Sequence, residues 1–455
     1  MSDILTALDN LYLQLETPTT PMHVGGLLVF DGNGAGPEEQ FETMLAAPVG
    51  AEPFDRRLAR GRFGLPRWEQ VSHVDLAEHV TVHDAPGPGG DEQLMTLVSE
   101  LHTIPISRQR PLWECRLIRG LSHDRFALFF KIHHSCLDGV SGIRRIQRAL
   151  SARPEEETPP VWAVEKRRGP RPASWAPRPS MMSALRGKAL MVPELARAMA
   201  SVGLGAARRD HHRTAPPYLC PNTPLNPMVS GERSVAWHSL PLAGVKATGA
   251  AARATVNDVA LAICSAVVRE RLLEMNALPD RPLVAMVPFS LHREGSAGGN
   301  ETSCILCNLA THVADPVERL RIVSASAADG KKMLRAMSPD AAATYWMALG
   351  FPAILAQMAG LSARAPLPFN VVVSNVPGPT ESLYHNGAQL QAIYPASLLF
   401  ERQALNITLI SYRDRIDFGL LACRRTIPDL PRMAQRIGAA YDELASALLP
   451  PAARR

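Results

Sequence analysis

Three things are scarce in this 455-residue chain: aromatic side chains, cysteines and long apolar runs. Phe, Trp and Tyr make up 5% of the residues, so the chain lacks the aromatic-interleaved basic stripes that bind nucleic acids. The seven cysteines are an odd number spread along the chain, which favours reduced thiols over a disulfide framework. No stretch reaches about 18 consecutive apolar residues, so we expect no membrane-spanning helix. The first sixteen residues lack the basic and apolar regions of a secretory signal.

The chain does contain enough apolar material for sizeable cores, and its charge is nearly balanced. Hydrophobic residues make up 46% and charged residues 20%, a composition that excludes a disordered chain. The formal net charge is +5, and this mild basicity suits anionic small ligands or an anionic membrane surface. We therefore expect a globular protein of two or three domains that binds no nucleic acid.

A proline-rich stretch at residues 151–180 divides the chain into two halves. It holds seven prolines and little hydrophobic periodicity, so it is predicted to be an extended linker. Trp162 and Trp175 would attach it to a surface. The predicted division is an N-terminal domain at 1–150, a linker with a basic amphipathic helical segment at 151–214, and a C-terminal domain at 215–455.

Both halves alternate helix-type and strand-type patterns, which predicts an α/β fold. Apolar residues at helical spacing predict helices at residues 92–102, 140–150, 257–267 and 431–448. Apolar or β-branched runs bounded by turn residues predict strands at 22–30, 126–132 and 369–375, and a hairpin from 405–412 and 416–422. The strand at 126–132 is apolar along most of its length, so we expect it to be buried on both faces.

The densest cluster of chemically useful side chains follows this strand, in the segment His133-His134-Ser135-Cys136-Leu137-Asp138-Gly139. It lies where a buried strand ends and a helix begins, and strand ends of α/β sheets are where side chains reach a crevice. An imidazole there could accept and return a proton near neutral pH, and Gly139 permits a tight turn. The alternative is a polar strand end with satisfied histidines. The residues alone favour neither interpretation and name no reaction.

The pattern H-H-x-x-x-D-G resembles the signature of the bacterial wax ester synthase/acyl-CoA:diacylglycerol acyltransferases, within the coenzyme A-dependent acyltransferase superfamily. The resemblance covers most of the chain, and ordered motifs in both halves are far more specific than any one of them. The matching segments are LDNLYLQLETPTTPMHVGGLLVF near the N-terminus, Pro111-Leu112-Trp113, Thr223-Pro224-Leu225-Asn226, Asn257-Asp258, Ser374-Asn375-Val376-Pro377-Gly378-Pro379 and Asn406-Ile407-Thr408. Two stretches depart from the family pattern: residues 106–110 lack an acidic residue, and residues 400–404 are less glycine-rich.

The resemblance implies a fold and a reaction. The fold is α/β with mixed sheets, in two similarly built acyltransferase-like domains with an active-site tunnel between them. His134 would be the general base that deprotonates a long-chain alcohol or a diacylglycerol hydroxyl, and that oxygen would attack the thioester of acyl-CoA. His133 would orient the site or line the tunnel. Acyl-CoA is a substrate in this scheme, and the resemblance implies neither a cofactor nor a metal.

The other motif residues are expected to support this chemistry. Asp138 would form an ion pair with an arginine that the sequence does not identify. Asn257 is the first candidate for stabilising the tetrahedral oxyanion and Ser374 the second, although Asn257 also suits an ordinary helix cap beside Asp258. The residues expected to shape the motif or the substrate pocket are Gly139, Pro111, Leu112, Trp113, Asp258, Ser374 and Asn375.

Two cysteine features have competing interpretations. Cys304-x-x-Cys307 suggests a zinc site, but no second ligand pair lies at a matching spacing, and the residues between the two cysteines are apolar. Buried thiols without a metal are therefore favoured. Cys136 lies inside the motif, but it is expected to pack rather than react, because the implied reaction needs no nucleophilic cysteine.

Two alternative functions stay open on the same fold. One is a condensation-type acyltransferase that takes acyl groups from a carrier protein. The other is a non-catalytic lipid-binding or lipid-droplet protein in which the motif is vestigial. The intact His134, Asp138 and Gly139 favour an enzyme, and the Pro-Leu-Trp and Asn-Asp elements favour the wax ester branch.

Residues 181–213 predict how a chain without a spanning helix could reach lipid substrates. The segment contains six basic and two acidic residues, and a basic amphipathic helix can lie in an anionic bilayer surface. Its apolar stripe consists of Leu185, Ala189, Val192, Ala196 and Met199. The alternative is an ordinary helix packed on the protein. We therefore expect a cytoplasmic location, with peripheral contact with the inner membrane face or lipid droplets.

If residues 181–213 form the anchor, replacing Arg186, Lys188, Arg197 and Arg208 with Gln should reduce sedimentation with anionic vesicles. Raising the salt concentration should have the same effect, because salt screens the attraction between exposed charges. Vesicle co-sedimentation of the full-length chain measures both. Equal binding by the wild type and the variant would show that this segment is not the anchor.

Overall fold

The computed structural model describes residues 5–50, 52–61, 66–164, 215–290 and 302–450. Its helices are α1 (Ala7–Leu15), α2 (Pro37–Ala46), α3 (Asp91–Thr103), α4 (Gly139–Arg148), α5 (Leu242–Ala252), α6 (Val256–Glu274), α7 (Pro316–Arg335), α8 (Pro339–Met358) and α9 (Leu430–Leu448). Its strands are β1 (His23–Phe30), β2 (Arg56–Arg60), β3 (Pro66–Gln70), β4 (Val80–Asp84), β5 (Trp113–Leu121), β6 (Arg125–His133), β7 (Arg233–Pro241), β8 (Val284–Ser290), β9 (Thr302–Asn308), β10 (Val371–Val376), β11 (Tyr384–His385), β12 (Ala388–Ala396), β13 (Leu405–Tyr412) and β14 (Arg415–Cys423).

The helices and strands that were predicted within the described residues are all present, which confirms the α/β class. Most of their ends agree with the prediction within two residues. The exception is α6, which continues well beyond its predicted end at Val267. Val268 and Leu272 are both buried on this continuation, so packing extends the helix past the point where the sequence pattern weakened.

The chain forms two compact units, each assembled from separate stretches. The first unit comprises residues 1–166, 229–243 and 376–438, and the second comprises residues 167–228, 244–375 and 439–455. The sequence predicted domains that are continuous in the chain. The difference arises from strand pairing, because β12, which lies late in the sequence, pairs with β1 near the N-terminus.

A six-stranded mixed sheet in the order β11-β12-β1-β6-β5-β4 forms the centre of the first unit. β6 pairs antiparallel with β1 and β5, whereas β4 and β5 are parallel. Phe129 of β6 packs in one apolar core with residues of α3, and Phe126 packs in another core with residues of α4. This confirms the prediction that the strand is buried on both faces.

Strands outside this sheet pair in both units, and β2 and β3 form a separate two-stranded sheet. In the first unit, β14 lies between β7 and β13 and is antiparallel to both. In the second unit, β8 is antiparallel to β9 and parallel to β10. The helix α7 packs on β9 and on α6.

Part of the proline-rich stretch belongs to the core of the first unit. Trp162 is fully buried, and its ring stacks on that of Trp113 with centroids 5.1 Å apart. The prediction of an extended linker is therefore wrong near Trp162. Burial of this large aromatic side chain stabilises the packed arrangement more than the flanking prolines favour an extended chain. Trp175 and the predicted segment 181–213 lie outside the described residues.

In the part of the chain that the structure describes, no single helix has the length and hydropathy of a membrane span. The helices α5 and α6 reach those values only when taken together, and they meet at an angle of 98°. Most residues of α6 are buried inside the protein.

Candidate active site

The backbone of the two motif histidines is fixed at the end of β6. The His134 N–H donates to the Met22 carbonyl at 2.8 Å, just before β1. The His133 N–H donates to the Leu112 carbonyl at 2.9 Å, just before β5. Both neighbouring strands therefore hold the histidines in place before the chain turns into α4.

The imidazole of His134 is half-buried and lies against the ring of Tyr12. The two ring centroids are 4.4 Å apart, with an interplanar angle of 27°. Burial lowers the pKa of His134 to about 4, and its own backbone carbonyl and the charge of Asp138 offset this only in part. The ring is therefore neutral at pH 7.

The surroundings of His134 also indicate which ring nitrogen carries the proton. Nδ1 is buried and bonds to no other described residue, whereas the residue's own carbonyl is the acceptor that raises its pKa. A proton on Nδ1 would face that carbonyl. Nε2 is then the nitrogen with a free lone pair, which is the form a general base requires.

His133 has the opposite tautomer because of its own contacts. The Ser135 backbone N–H donates to His133 Nδ1 at 3.2 Å, and the Ser135 hydroxyl lies 2.7 Å from the same atom. Nδ1 is therefore the acceptor, and Nε2 carries the proton. Nε2 faces Glu16 Oε1 at 3.5 Å, which is an electrostatic contact rather than a short hydrogen bond.

Glu16 connects both histidines to the N-terminal helix, directly after α1. Burial alone would raise its pKa, but His133 and Arg108 lower it to about 2. Arg108 Nε donates to Glu16 Oε2 at 2.7 Å, and the Met22 N–H donates to Glu16 Oε1 at 3.3 Å. Since the Met22 carbonyl holds the backbone of His134, one carboxylate positions both motif residues.

Pro111, Leu112 and Trp113 support the motif from β5. All three are buried. The Trp113 indole N–H donates to the Phe54 carbonyl at 3.0 Å, and the ring stacks on His79 with centroids 4.3 Å apart. Trp113 therefore acts as a core residue that fixes the start of β5, and it exposes no surface on which a ligand could stack.

A buried ion cluster lies next to this segment and was not identified from the sequence. Glu114 and Lys131 face each other across β5 and β6 at 3.2 Å. Arg110 and Arg116 also contact the Glu114 carboxylate, at 2.9 and 2.8 Å. Lys131 Nζ donates to two backbone carbonyls at the end of α3. The cluster compensates each buried charge and ties α3 to the motif strand.

Asp138 caps a helix rather than pairing with an arginine. It is the N-cap of α4, and its Oδ1 accepts a hydrogen bond from the Ser141 N–H at 2.7 Å. Among the described residues it forms no ion pair, which corrects the expectation of an arginine partner. The nearby Arg145 instead donates to the backbone carbonyls of Val161, Glu52 and Val164.

The second unit brings together three of the predicted residues at the start of α6. Its N-cap is Thr255, which forms a reciprocal capping box with Asp258. Asn257 is therefore not the cap, and its Oδ1 accepts from Asn375 Nδ2 of β10 at 3.4 Å. Asp258 also accepts from the Ser324 hydroxyl at 3.2 Å. Ser374 is half-buried on β10.

The thiols near the motif and in the Cys-x-x-Cys segment are packed residues. Burial raises the pKa of Cys136 to about 12, so its sulfur stays protonated at neutral pH and is a poor nucleophile. Cys304 and Cys307 are both buried on β9. The described residues contain no group of three or more His, Cys, Asp or Glu side chains arranged to hold a metal ion.

Sequence reasoning missed three residues of the site: Tyr12, Glu16 and Arg108. A signal existed for the first two, because both belong to the N-terminal segment that matches the family pattern. Arg108 lies within the stretch that departs from the family pattern. Only the structure shows that this arginine holds the carboxylate beside the motif.

Comparisons with known proteins show the family of the chain. Residues 5–260 match the model of the wax ester synthase/diacylglycerol acyltransferase catalytic domain, and residues 298–445 match that of the corresponding C-terminal domain. The chain is 39% identical to a probable diacylglycerol O-acyltransferase of Mycobacterium tuberculosis, over 98% of this chain and 99% of that protein.

One solved structure gives the same family relationship, and another shares only the fold. A wax ester synthase/diacylglycerol acyltransferase from Marinobacter aquaeolei VT8 is 34% identical and superposes with a TM-score of 0.79, covering 98% of this chain and all of that one. The first condensation domain of the CDA synthetase shares the fold at 15% identity and a TM-score of 0.61, covering 99% and 97%.

The cap at Asp138 makes a testable prediction about stability. Replacing Asp138 with Ala should lower the free energy of unfolding by about 0.5–2 kcal/mol, the usual cost of losing an N-cap. Asn also caps helices well, so Asp138→Asn should retain most of the stability. Denaturant titration of the three proteins measures this. A loss of about 3 kcal/mol or more in both variants would mean that the carboxylate charge, and not the cap, is what stabilises the turn.

Proposed function

Because the chain belongs to the wax ester synthase/diacylglycerol acyltransferase family, we propose that it transfers a long-chain acyl group from acyl-CoA to a long-chain alcohol or a diacylglycerol, with His134 as the general base. The observation that carries this proposal is the position of His134 at the end of β6, where its backbone N–H donates to the Met22 carbonyl and its ring stacks on Tyr12. We assign the proton of the neutral ring to Nδ1, on the side of its own carbonyl. Nε2 is left to accept a proton.

The reaction follows from that geometry. The hydroxyl proton of the acceptor passes to His134 Nε2 while the hydroxyl oxygen forms a bond to the thioester carbonyl carbon. The tetrahedral intermediate then breaks its carbon–sulfur bond, and the imidazolium returns the proton to the leaving thiolate. An ester and free coenzyme A result. The low pKa of the free imidazole rises during this step, because an oxyanion nearby favours the charged ring.

The other site residues have distinct roles in this proposal. Glu16 and Tyr12 are positioning residues that hold His133 and the ring of His134. Asn257 is the proposed oxyanion donor, and its side-chain Nδ2 makes no hydrogen bond to the other described residues. Ser374 is the second candidate for that donor. Stabilising a developing oxyanion is often the largest contribution to catalysis.

The chemistry of the proposed substrates bears on the need for a cofactor and on the location of the enzyme. We propose no cofactor beyond the acyl-CoA substrate, because a thioester is already an activated acyl donor. The acceptors and products are poorly soluble in water, so we propose a cytoplasmic enzyme in peripheral contact with the inner membrane face or with lipid droplets. The basic segment at residues 181–213 stays one proposed means of contact.

Replacing His134 with Ala should reduce acyl transfer by about 10²–10⁴-fold, the usual loss when a general base is removed. The measurement is the release of free thiol from palmitoyl-CoA with hexadecanol, and with a diacylglycerol as the second acceptor. The ratio of the two rates gives the preferred acceptor class. His133→Ala should cost less, because that ring contacts Glu16 and Ser135 rather than the proposed substrate.

Cys136→Ala is the matched control, since it changes a half-buried side chain of the same motif whose thiol takes no part in the proposed reaction. It should retain most of the activity. Near-normal turnover by a folded His134→Ala protein would disprove the mechanism. A greater loss from His133→Ala than from His134→Ala would reverse the two roles.

The low pKa of His134 predicts an unusual pH profile. The acid limb of kcat/KM should lie near pH 4 rather than near the ordinary histidine value of 6.5, because the free ring loses its proton at about 4. Between pH 6.5 and 4 the unfolded chain binds this proton first, so the folded state loses stability as pH falls. Circular dichroism at each pH must therefore accompany the rates. An acid limb near 6.5 in a folded protein would show that His134 is solvated.

A further inference from the structure

The second unit exposes an apolar stripe along the C-terminal part of α8. The chain carries no charged residue from 341 to 361. Within this stretch the stripe consists of the exposed large side chains Met347, Phe351, Leu355, Met358 and Leu361. Soluble proteins rarely expose apolar side chains in such a contiguous group unless it serves a contact.

The two ends of α8 differ in how they pack. At the N-terminal end Ala341, Ala342 and Tyr345 are buried, and the Ala342 carbonyl accepts from the Ser303 hydroxyl of β9 at 3.1 Å. Leu349 is also buried, and its carbonyl accepts from the Tyr218 hydroxyl. From residue 350 to the end of the stripe no residue is buried. The helix is thus anchored at one end and projects an uncharged apolar surface at the other.

The side chains of the stripe favour a lipid surface as its partner. Met, Phe and Leu side chains without acidic or basic neighbours are compatible with the hydrocarbon region of a lipid layer. Arg364 follows the stripe in the sequence, and its positive charge would contact the lipid headgroups. Interfacial helices bury such a face about 5–10 Å into the boundary of headgroups and acyl chains. A second copy of the chain is less suited, because about three turns of helix offer far less than the roughly 1,200–2,000 Å² of a stable interface.

We infer that the exposed stripe of α8 inserts into the surface of a membrane or lipid droplet and holds the enzyme on its lipid substrates. The choice of a lipid partner rests on the proposed function. The contact is apolar, so it depends little on lipid charge or on salt. This separates it from the basic segment at residues 181–213, whose binding would need anionic lipid and would weaken in salt.

The test is co-sedimentation of the full-length chain with vesicles of phosphatidylcholine alone and of phosphatidylcholine with phosphatidylglycerol, at low and high salt. The variant is Phe351→Gln with Leu355→Gln, whose side chains are 54% and 48% exposed. The matched control is Ile104→Gln with Leu273→Gln, which are also 54% and 48% exposed but lie outside the stripe. All four side chains face water, so both variants should fold with an unchanged melting temperature.

The wild type and the control should bind both kinds of vesicle with little change in salt. The stripe variant should lose roughly tenfold or more in vesicle affinity, because two inserted apolar side chains have become polar. Equal binding by wild type and stripe variant would overturn the inference. So would wild-type binding that requires anionic lipid and disappears in salt, which would indicate the basic segment instead. A dimer that the stripe variant dissociates, without loss of vesicle binding, would assign the stripe to a second copy.

A parallel assay separates this inference from the proposed function. With short, water-soluble acyl-CoA and alcohol, the stripe variant should turn over like the wild type, whereas its rate on vesicle-borne diacylglycerol should fall with its binding. A wild type that is inactive on every acceptor but binds vesicles through the stripe would disprove the acyltransferase proposal and leave the lipid contact standing. Loss of soluble turnover in the stripe variant alone would show that α8 acts on the reaction and not on docking.

Discussion

The partial burial of His134 against the ring of Tyr12 is the constraint on which the rest of the site depends. Burial disfavours the charged form of the imidazole and lowers its pKa, so the ring is neutral and able to act as a base. The protein orients the ring through Tyr12, which lies against one face of it. The backbone N–H groups of His134 and His133 donate to the carbonyls of Met22 and Leu112, which fixes the chain on either side. The flanking strands and α1 are therefore parts of the site.

The neighbouring histidine shows how environment gives adjacent identical side chains different roles. His133 faces a carboxylate that Arg108 keeps ionised, whereas His134 faces an aromatic ring and its own carbonyl. The first arrangement favours a fixed proton on Nε2, and the second leaves Nε2 free to accept one. Glu16 links the two, because it contacts His133 directly and His134 through the backbone of Met22.

The sequence predicted the local elements and the motif, but not the long-range contacts that complete them. Strand and helix patterns placed β6, α4 and the histidines correctly, since these depend on periodicity over a few residues. The resemblance supplied the chemistry. Asp138 was expected to meet an arginine and instead caps α4, because an N-cap carboxylate can satisfy a backbone amide three residues away. The contact of Glu16 with Arg108 joins residues far apart in sequence, and no local pattern encodes it.

The late strand β12 has a consequence for how the protein is made. β1, which pairs with the motif strand, has β12 as its other neighbour, and that strand ends at Ala396. As the chain leaves the ribosome, β1 and β6 can pair early, yet β1 keeps an open edge until most of the protein has been synthesised. Open edges invite pairing with other chains, and closing so long a loop is slow. The late arrival of β12 therefore leaves one edge of β1 unpaired during synthesis, while β6 and its two histidines can already occupy the other edge.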